Sequence, residues 1–269
     1  MYPIKHGVRR PALRYHGGKW MIAKWIISHF PEHRIYVEPY GGAGSVLLRK
    51  EPCYSEVYND IDGEVVSFFR ILRERGPELQ EALRLTPYAR SEYVAAQKPT
   101  DDALESARRL VIRSFMGYGS DSIKGGSGFR ANANRNGTVP AHDWKNYADC
   151  MSHLVERMRN VLIENRPALE IIAQQDGPKT LFYVDPPYVH ATRTGSKRYR
   201  FEMDDAEHIK LAAVLRACQG AVVLSGYDSE MYNGLYAGWK RIEKPTFADG
   251  GRPRTEVLWI KPSLSTSEH

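Results

Sequence analysis

The chain has 269 residues, 42% of them hydrophobic and 26% charged, enough for one large core or for a core carrying a smaller inserted module. Its formal net charge of +6 permits an anionic partner without requiring one. Cys53, Cys150 and Cys218 are few, widely spaced and without a C-x-x-C pair, which argues against a disulfide framework and a cysteine zinc site and fits a reducing cytoplasm.

Residues Met1 to Leu13 lack an apolar segment behind their positive charge, and no apolar run approaches the roughly 18 residues of a membrane span, so a soluble protein is expected. Ile22, Trp25 and Ile26 recur at helical spacing, followed by short apolar runs at Ile35-Tyr36-Val37 and Val57-Tyr58 that read as buried strands. Val65, Phe68, Phe69 and Leu72 mark the next helix. From about residue 76 to 158 the alternation breaks. Amphipathic helices around Leu104, Ala107, Val111 and Phe115 and around Met151, Leu154, Val155 and Met158 bracket Gly117 to Trp144, rich in glycine, asparagine and serine. Strands resume at Val161-Leu162-Ile163 and Leu181 to Val184. Asp204 caps a helix carrying Ile209, Leu211, Ala212 and Leu215, and strands follow at Ala221 to Leu224 and Val257 to Ile260. The pattern predicts an α/β fold on a parallel sheet, residues 1–75 and 159–269, with 76–158 as an inserted domain.

The most informative motif is Asp185-Pro186-Pro187-Tyr188, directly after the run Leu181 to Val184. Two prolines cannot continue a central strand, so the chain turns sharply and presents a carboxylate, unclaimed carbonyls and an aromatic face. Those groups suit a planar nitrogen heterocycle whose amino group must be held. A second βα corner is Tyr36-Val37-Glu38-Pro39-Tyr40-Gly41-Gly42-Ala43-Gly44-Ser45, a strand and a glycine-rich turn expected to open a helix. Leu47 stands where G-x-G-x-x-G requires its last glycine, and no Lys-Ser or Lys-Thr follows, so neither the dinucleotide nor the P-loop pattern is met. Asp60, beside Ile61 at the end of the second strand, is placed for a ribose diol, as a solvated turn acid or as a helix cap. With the glycine turn upstream, adenosyl binding is the better account. Tyr15-His16-Gly17-Gly18-Lys19 adds an aromatic, two permissive glycines and a cation suited to a carboxylate or phosphate.

Taken in order, Tyr15 to Lys19, Glu38 to Gly44, Asn59-Asp60-Ile61 and Asp185 to Tyr188 resemble the Dam-type adenine-N6 DNA methyltransferases, including phage-borne members. The resemblance covers roughly residues 13–75 and 160–261 and is faint in the insertion. It implies a class I S-adenosylmethionine-dependent (Rossmann-like) sheet with an inserted target-recognition domain, acting on double-stranded DNA in a bacterial or phage-infected cytoplasm, without a metal. It implies cofactor contacts at Tyr15, Gly17, Gly18, Lys19, Glu38 to Ser45, Asp60, Ile61 and Asp185, with chemistry at Asp185, Pro186, Pro187 and Tyr188. Tyr15 departs from the tryptophan frequent there, and His16 from the small residue common before the glycines. Cytosine-N4 enzymes use a related motif, usually beginning with serine; Asp185 favours adenine.

The segment Val189 to Phe201 contains His190, Arg193, Lys197, Arg198 and Arg200 with interleaved aromatics, suited to phosphate contacts or to a solvated loop. In the insertion, Arg113, Lys124, Arg130, Arg135 and Lys145 outnumber Asp121 and Asp143, with Tyr118 a candidate wedge and Arg130 and Asn132 candidate base readers in a recognition hairpin. Near the C-terminus, Arg252 in Gly250-Gly251-Arg252-Pro253-Arg254 is a further candidate phosphate contact or part of an exposed hairpin turn. The rival readings are a DNA-binding protein keeping the fold without turnover and a nicotinamide-dependent oxidoreductase.

Overall fold

The computed structural model describes residues 7–119, 123, 127–131, 139–189, 200–247 and 253–262. In chain order it opens on α1 (Ala23–Ile27), β1 (Ile35–Glu38) and β2 (Ser55–Asn59). Helices follow: α2 (Gly63–Glu74), α3 (Gly76–Leu85), α4 (Arg90–Ala95), α5 (Ala103–Met116), α6 (Pro140–Asp149) and α7 (Met151–Met158). Strands return with β3 (Val161–Glu164), then α8 (Ala168–Gln175), β4 (Thr180–Val184), α9 (Asp205–Ala217), β5 (Ala221–Tyr227), α10 (Glu230–Leu235), β6 (Lys240–Phe247) and β7 (Pro253–Lys261). No described helix is long and apolar enough to cross a membrane. Two compact units emerge, a helical one of Met1–Ala23, Gly42–Glu51 and Asp62–Val161, and a sheet unit of Lys24–Gly41, Pro52–Ile61 and Leu162–His269.

In the sheet unit the described strands form one sheet, ordered β3-β2-β1-β4-β5-β7-β6. Strands β2, β1, β4 and β5 are parallel, whereas β7 runs antiparallel to both β5 and β6. The expected α/β fold on a parallel sheet holds, with an antiparallel pair added at this edge. Five residues separate β6 from β7, too few for the crossover that a parallel pair needs, so the two pair antiparallel. Strand β6, Lys240-Arg241-Ile242-Glu243-Lys244-Pro245-Thr246-Phe247, has no apolar run because it is an edge, where charge and proline discourage further pairing.

Side chains alternate across the sheet. One face packs Val37, Phe182, Val184, Val222, Leu224, Val257 and Trp259 against Ile171 and Ile172 of α8, Leu211 and Leu215 of α9, and Tyr232 and Tyr236. Each such side chain contributes about 1.5–3 kcal/mol when fully buried. The other face carries Tyr36, Tyr183 and Ser225, also buried, with Phe30 against both tyrosine rings. Asp204 caps α9 in a reciprocal pair with Glu207, a device that contributes about 1 kcal/mol.

The helical unit is held by buried polar contacts as well as apolar ones. Arg113 of α5 donates to the carbonyls of Ile123 and Ala96 at 3.0 and 2.9 Å and pairs with Glu64 of α2. Arg113 is therefore structural, and its grouping with DNA-facing cations is corrected. The glycine-rich stretch also ends earlier than expected. Pro140 opens α6, a position where its missing N–H costs nothing, and α6 buries Trp144 and Tyr147. The helix expected after the glycine turn is absent as a regular element. Residues 42–50 instead make successive turns, with Leu48 N on Gly44 O at 2.9 Å and Lys50 N on Val46 O at 3.0 Å, and Val46, Leu47 and Leu48 are all buried. Positive φ at Gly42 and Gly44 keeps the backbone out of the right-handed helical region there.

Candidate active site

In an open parallel sheet, ligands bind outside the carboxyl ends of strands where the strand order reverses. Here β1 is followed by β2 to one side, while β4, paired to its other flank, is followed by β5 further out, so the reversal lies between β1 and β4. Glu38 ends β1 and Asp185 follows β4. Asp60 follows β2, and Tyr227 ends β5. The sheet unit thus brings Glu38, Asp60 and Asp185, from three sequence motifs, to one edge. A cleft of about 450 Å³ lined by Ser28, Phe30, Lys240 and Ile260 contains none of these residues.

The Asp185 to Tyr188 turn is fixed by the strands beyond it. Val184 pairs in register with Leu224, which sets the next residues, Asp185 and Ser225, side by side. Ser225 Oγ donates to Asp185 Oδ1 at 3.0 Å, and Ser225 Oγ also lies 3.0 Å from the Tyr183 hydroxyl. Burial first, then the Asp185 charge, pushes the Tyr183 phenol well above its ordinary pKa. Pro186 is buried and Pro187 partly so. Tyr188 is buried as well; its hydroxyl donates to Glu256 Oε1 at 2.8 Å and its ring meets the Tyr227 ring edge-on, centroids 4.5 Å apart. Glu256 sits opposite Tyr227 in the β5–β7 register, which explains that grouping.

At the end of β1, the buried Glu38 accepts a hydrogen bond from Tyr36 at 2.9 Å. Pro39 is buried, and Tyr40 has its phenol pKa raised by burial, then by Glu207 and Asp60. Gly41 donates to Asn59 O at 2.8 Å, and a Cβ there would stand 2.2 Å from Tyr58 Cε2, so only glycine fits. Buried Asn59 clasps this edge, donating to Pro39 O at 2.9 Å and Arg166 O at 3.0 Å and accepting from Arg166 N at 3.0 Å. The cap of α2 is Asp62, which accepts from Glu64 N at 3.0 Å. The capping alternative for Asp60 is thereby removed; Asp60 is partly exposed and Ile61 exposed.

The remaining cofactor candidates belong to the helical unit. Gly18 N closes a turn on Tyr15 O at 3.0 Å, with Gly17 at φ +73°. Lys19 is buried, 5% exposed, with Nζ on Gly17 O at 2.8 Å, so it is no ordinary surface lysine. The Tyr15 ring lies over Gly42, where a Cβ would come within 3.1 Å of it. Gly42 and Gly44 have φ +47° and +61°, and Ala43 and Ser45 are buried.

Of the DNA candidates, Tyr118 is 64% exposed on an antiparallel bridge between Gly117 and Phe129, with Tyr118 N on Gly128 O and Arg130 N on Met116 O, both at 2.8 Å. Arg130 lies 4.0 Å from Asp143, and its carbonyl accepts from Tyr88. Lys124, Asn132, Arg135, Arg193, Lys197, Arg198 and Arg252 lie outside the described residues.

Sequence reasoning misses Ser225, Tyr227 and Glu256. The signals exist in retrospect: Ser225 follows the apolar run Ala221 to Leu224 without interruption, and Glu256 is a buried acid at the head of Val257 to Ile260. Pairing across strands, which local pattern does not give, is what makes them part of the site.

The family model of D12 class N6 adenine-specific DNA methyltransferases matches residues 15–248. Among similar curated proteins, the DNA adenine methylase of Salmonella typhimurium is 23% identical over 272 residues, 96% of this chain and 90% of its own length. That of Escherichia coli (strain K12) is 23% identical over 260 residues, covering 90% and 91% of the two chains. That of Vibrio cholerae serotype O1 is 25% identical over 246 residues, 86% of each.

Proposed function

The chain belongs to the D12 class N6 adenine-specific DNA methyltransferases, and on that premise we propose that it moves the methyl group of S-adenosylmethionine to the N6 amino group of an adenine turned out of a short duplex DNA site. The observation that carries this reading is Asp185-Pro186-Pro187-Tyr188 at the carboxyl end of β4, beside the reversal in strand order, with its carboxylate and phenol each tied to a neighbouring strand.

The donor set suits S-adenosylmethionine. Glu38 and Asp60 offer carboxylates to ribose hydroxyls, and the buried Lys19 offers a cation to the methionine carboxylate. Gly42 and Gly44 adopt the left-handed backbone of the turn read as lying under the methionine moiety, a conformation that glycine takes at no steric cost. When bound, the cofactor supplies the methyl group as an electrophile.

The rest falls to this chain. Adenine's amino nitrogen is a poor nucleophile because its lone pair is delocalised into the ring. With one N–H accepted by Asp185 and the other by the main-chain carbonyl of Pro186, the nitrogen is drawn toward tetrahedral geometry and its lone pair is released for attack. The nitrogen becomes acidic as its bond to carbon forms, so no strong base is needed beforehand. Preorganised acceptors for the developing positive charge are the larger contribution. Tyr188 offers its ring to the base, which leaves the duplex at a cost of a few kcal/mol. Residues 76–158 serve as the target-recognition domain, with Tyr118 as wedge and Arg130 as reader. Lys124, Asn132, Arg135, Arg193, Lys197, Arg198 and Arg252 supply the remaining DNA contacts, in a bacterial or phage-infected cytoplasm.

The test is transfer of label from methyl-labelled S-adenosylmethionine to unmethylated duplex DNA, alongside thermal stabilisation by S-adenosylhomocysteine. Labelled DNA and a raised melting temperature are expected; stabilisation without label overturns the transfer.

A further inference from the structure

We propose that Ser225, backed by Tyr183, is a positioning residue that sets the orientation of the Asp185 carboxylate. The inference rests on the reading of Asp185 as the acceptor for the adenine amino group. A serine hydroxyl has a single hydrogen, and at Ser225 it points to Asp185 Oδ1. The contact between Tyr183 and Ser225 must then run from the phenol to the serine oxygen. The result is a one-way chain, Tyr183 to Ser225 to Asp185, in which each donor polarises the next.

The chain's direction is stable. Tyr183 is buried, and burial together with Asp185 raises its pKa, so it stays protonated and remains a donor at working pH. Its geometry is set by the sheet, because Tyr183 pairs with Val223 and Val184 with Leu224, placing Ser225 level with the first residue of the turn. Both hydroxyls occupy the sheet face opposite the apolar cluster of Phe182, Val184, Val222 and Leu224. An aspartate carboxylate rotates over a broad, two-fold torsion. Tying Oδ1 to Ser225 selects one orientation before substrate arrives, and a misplacement of about 1 Å is enough to cost around a hundredfold in rate.

The experiment uses the 269-residue protein, S-adenosylmethionine and unmethylated duplex DNA, with single-turnover rates for the transfer step and steady-state curves for kcat and KM. Ser225→Ala is expected to slow methyl transfer about tenfold or more, with KM for DNA and cofactor within about twofold of wild type and a fold that stays cooperative but melts a few degrees lower, because a buried hydroxyl with two partners is lost. Ser225→Thr, which restores a hydroxyl, recovers most of the rate. Tyr183→Phe slows transfer by a smaller factor, and adds little in the Ser225→Ala background because the relay is already cut. A wild-type rate for Ser225→Ala, a loss shared between kcat and KM, or fully multiplicative effects of the two substitutions would overturn the inference. Asp185→Ala separates the two levels. If it is inactive while Ser225→Ala is fully active, only the positioning role fails; if it keeps the wild-type rate, the reading beneath it fails.

Discussion

Tyr188 and Glu256 are joined by a hydrogen bond of 2.8 Å between two buried side chains, phenol to carboxylate, 68 residues apart in the chain. The bond ties the last residue of the Asp185 turn to β7, the reversed strand of the sheet.

Removing either end has distinguishable consequences. Tyr188→Phe keeps the ring and takes one donor from a buried carboxylate, which should lower stability by about 1–3 kcal/mol in urea unfolding while methyl transfer falls only severalfold. Tyr188→Ala removes the ring and should abolish transfer. Glu256→Gln keeps an acceptor at Oε1 and should stay near wild type in both measurements.

Gly41 is fixed by sterics. A Cβ there meets Tyr58 Cε2 at 2.2 Å, so Gly41→Ala should destabilise the protein by about 1–3 kcal/mol, and Tyr58→Leu in the same chain should return part of that loss. Gly234, in α10 with nothing within 4 Å, is the control: Gly234→Ala should stabilise by about 0.4–1 kcal/mol. Chemical denaturation of the variants decides both.

Arg113 tests structure against recognition. Its guanidinium satisfies two carbonyls and pairs with Glu64, so Arg113→Met should cost about 3–5 kcal/mol of unfolding free energy by leaving a carboxylate and two acceptors without their donor. The salt dependence of DNA binding by the folded fraction should not change. A shallower salt slope with stability intact would return Arg113 to the DNA surface.

Alkaline pH should unfold the protein through its buried phenols. Burial raises the pKa of Tyr36, Tyr147, Tyr183 and Tyr236, with the Glu38 and Asp185 charges adding to Tyr36 and Tyr183 respectively. Folded tyrosines keep their protons above pH 10 while unfolded ones release them, so the unfolded state binds fewer protons and stability falls as pH rises. The Cys218 thiol, raised by burial from 9.0 to about 11, adds a loss between those values. Phenolate absorbance from the buried rings should appear together with unfolding; ionisation at ordinary pKa in the native protein would contradict this.

Much of this architecture is legible locally. Val37, Val57, Phe182 and Leu224 lie in apolar runs because central strands are buried on both faces, and Asp204 announces α9 because a cap must precede a helix. What escapes is set by tertiary context. Strand β6 looks polar because it is an edge, and β7 reverses because the five residues before it are too few for a crossover. The glycine turn leads into further turns because Gly42 and Gly44 are left-handed. At the site, Asp185 and Tyr188 are readable from the two prolines between them, whereas Ser225 and Glu256 join only through strand register. Lys19 reads as a cation for a carboxylate or phosphate, but its burial is set by tertiary packing that two neighbouring glycines do not announce.

The central claim is tested most directly by identifying the nucleoside that carries label after unmethylated duplex DNA is incubated with methyl-labelled S-adenosylmethionine and either the wild-type protein or Asp185→Ala. The account predicts label in N6-methyladenine with the wild type and none with the variant. Label in N4-methylcytosine, or equal labelling of adenine by both proteins, would contradict it.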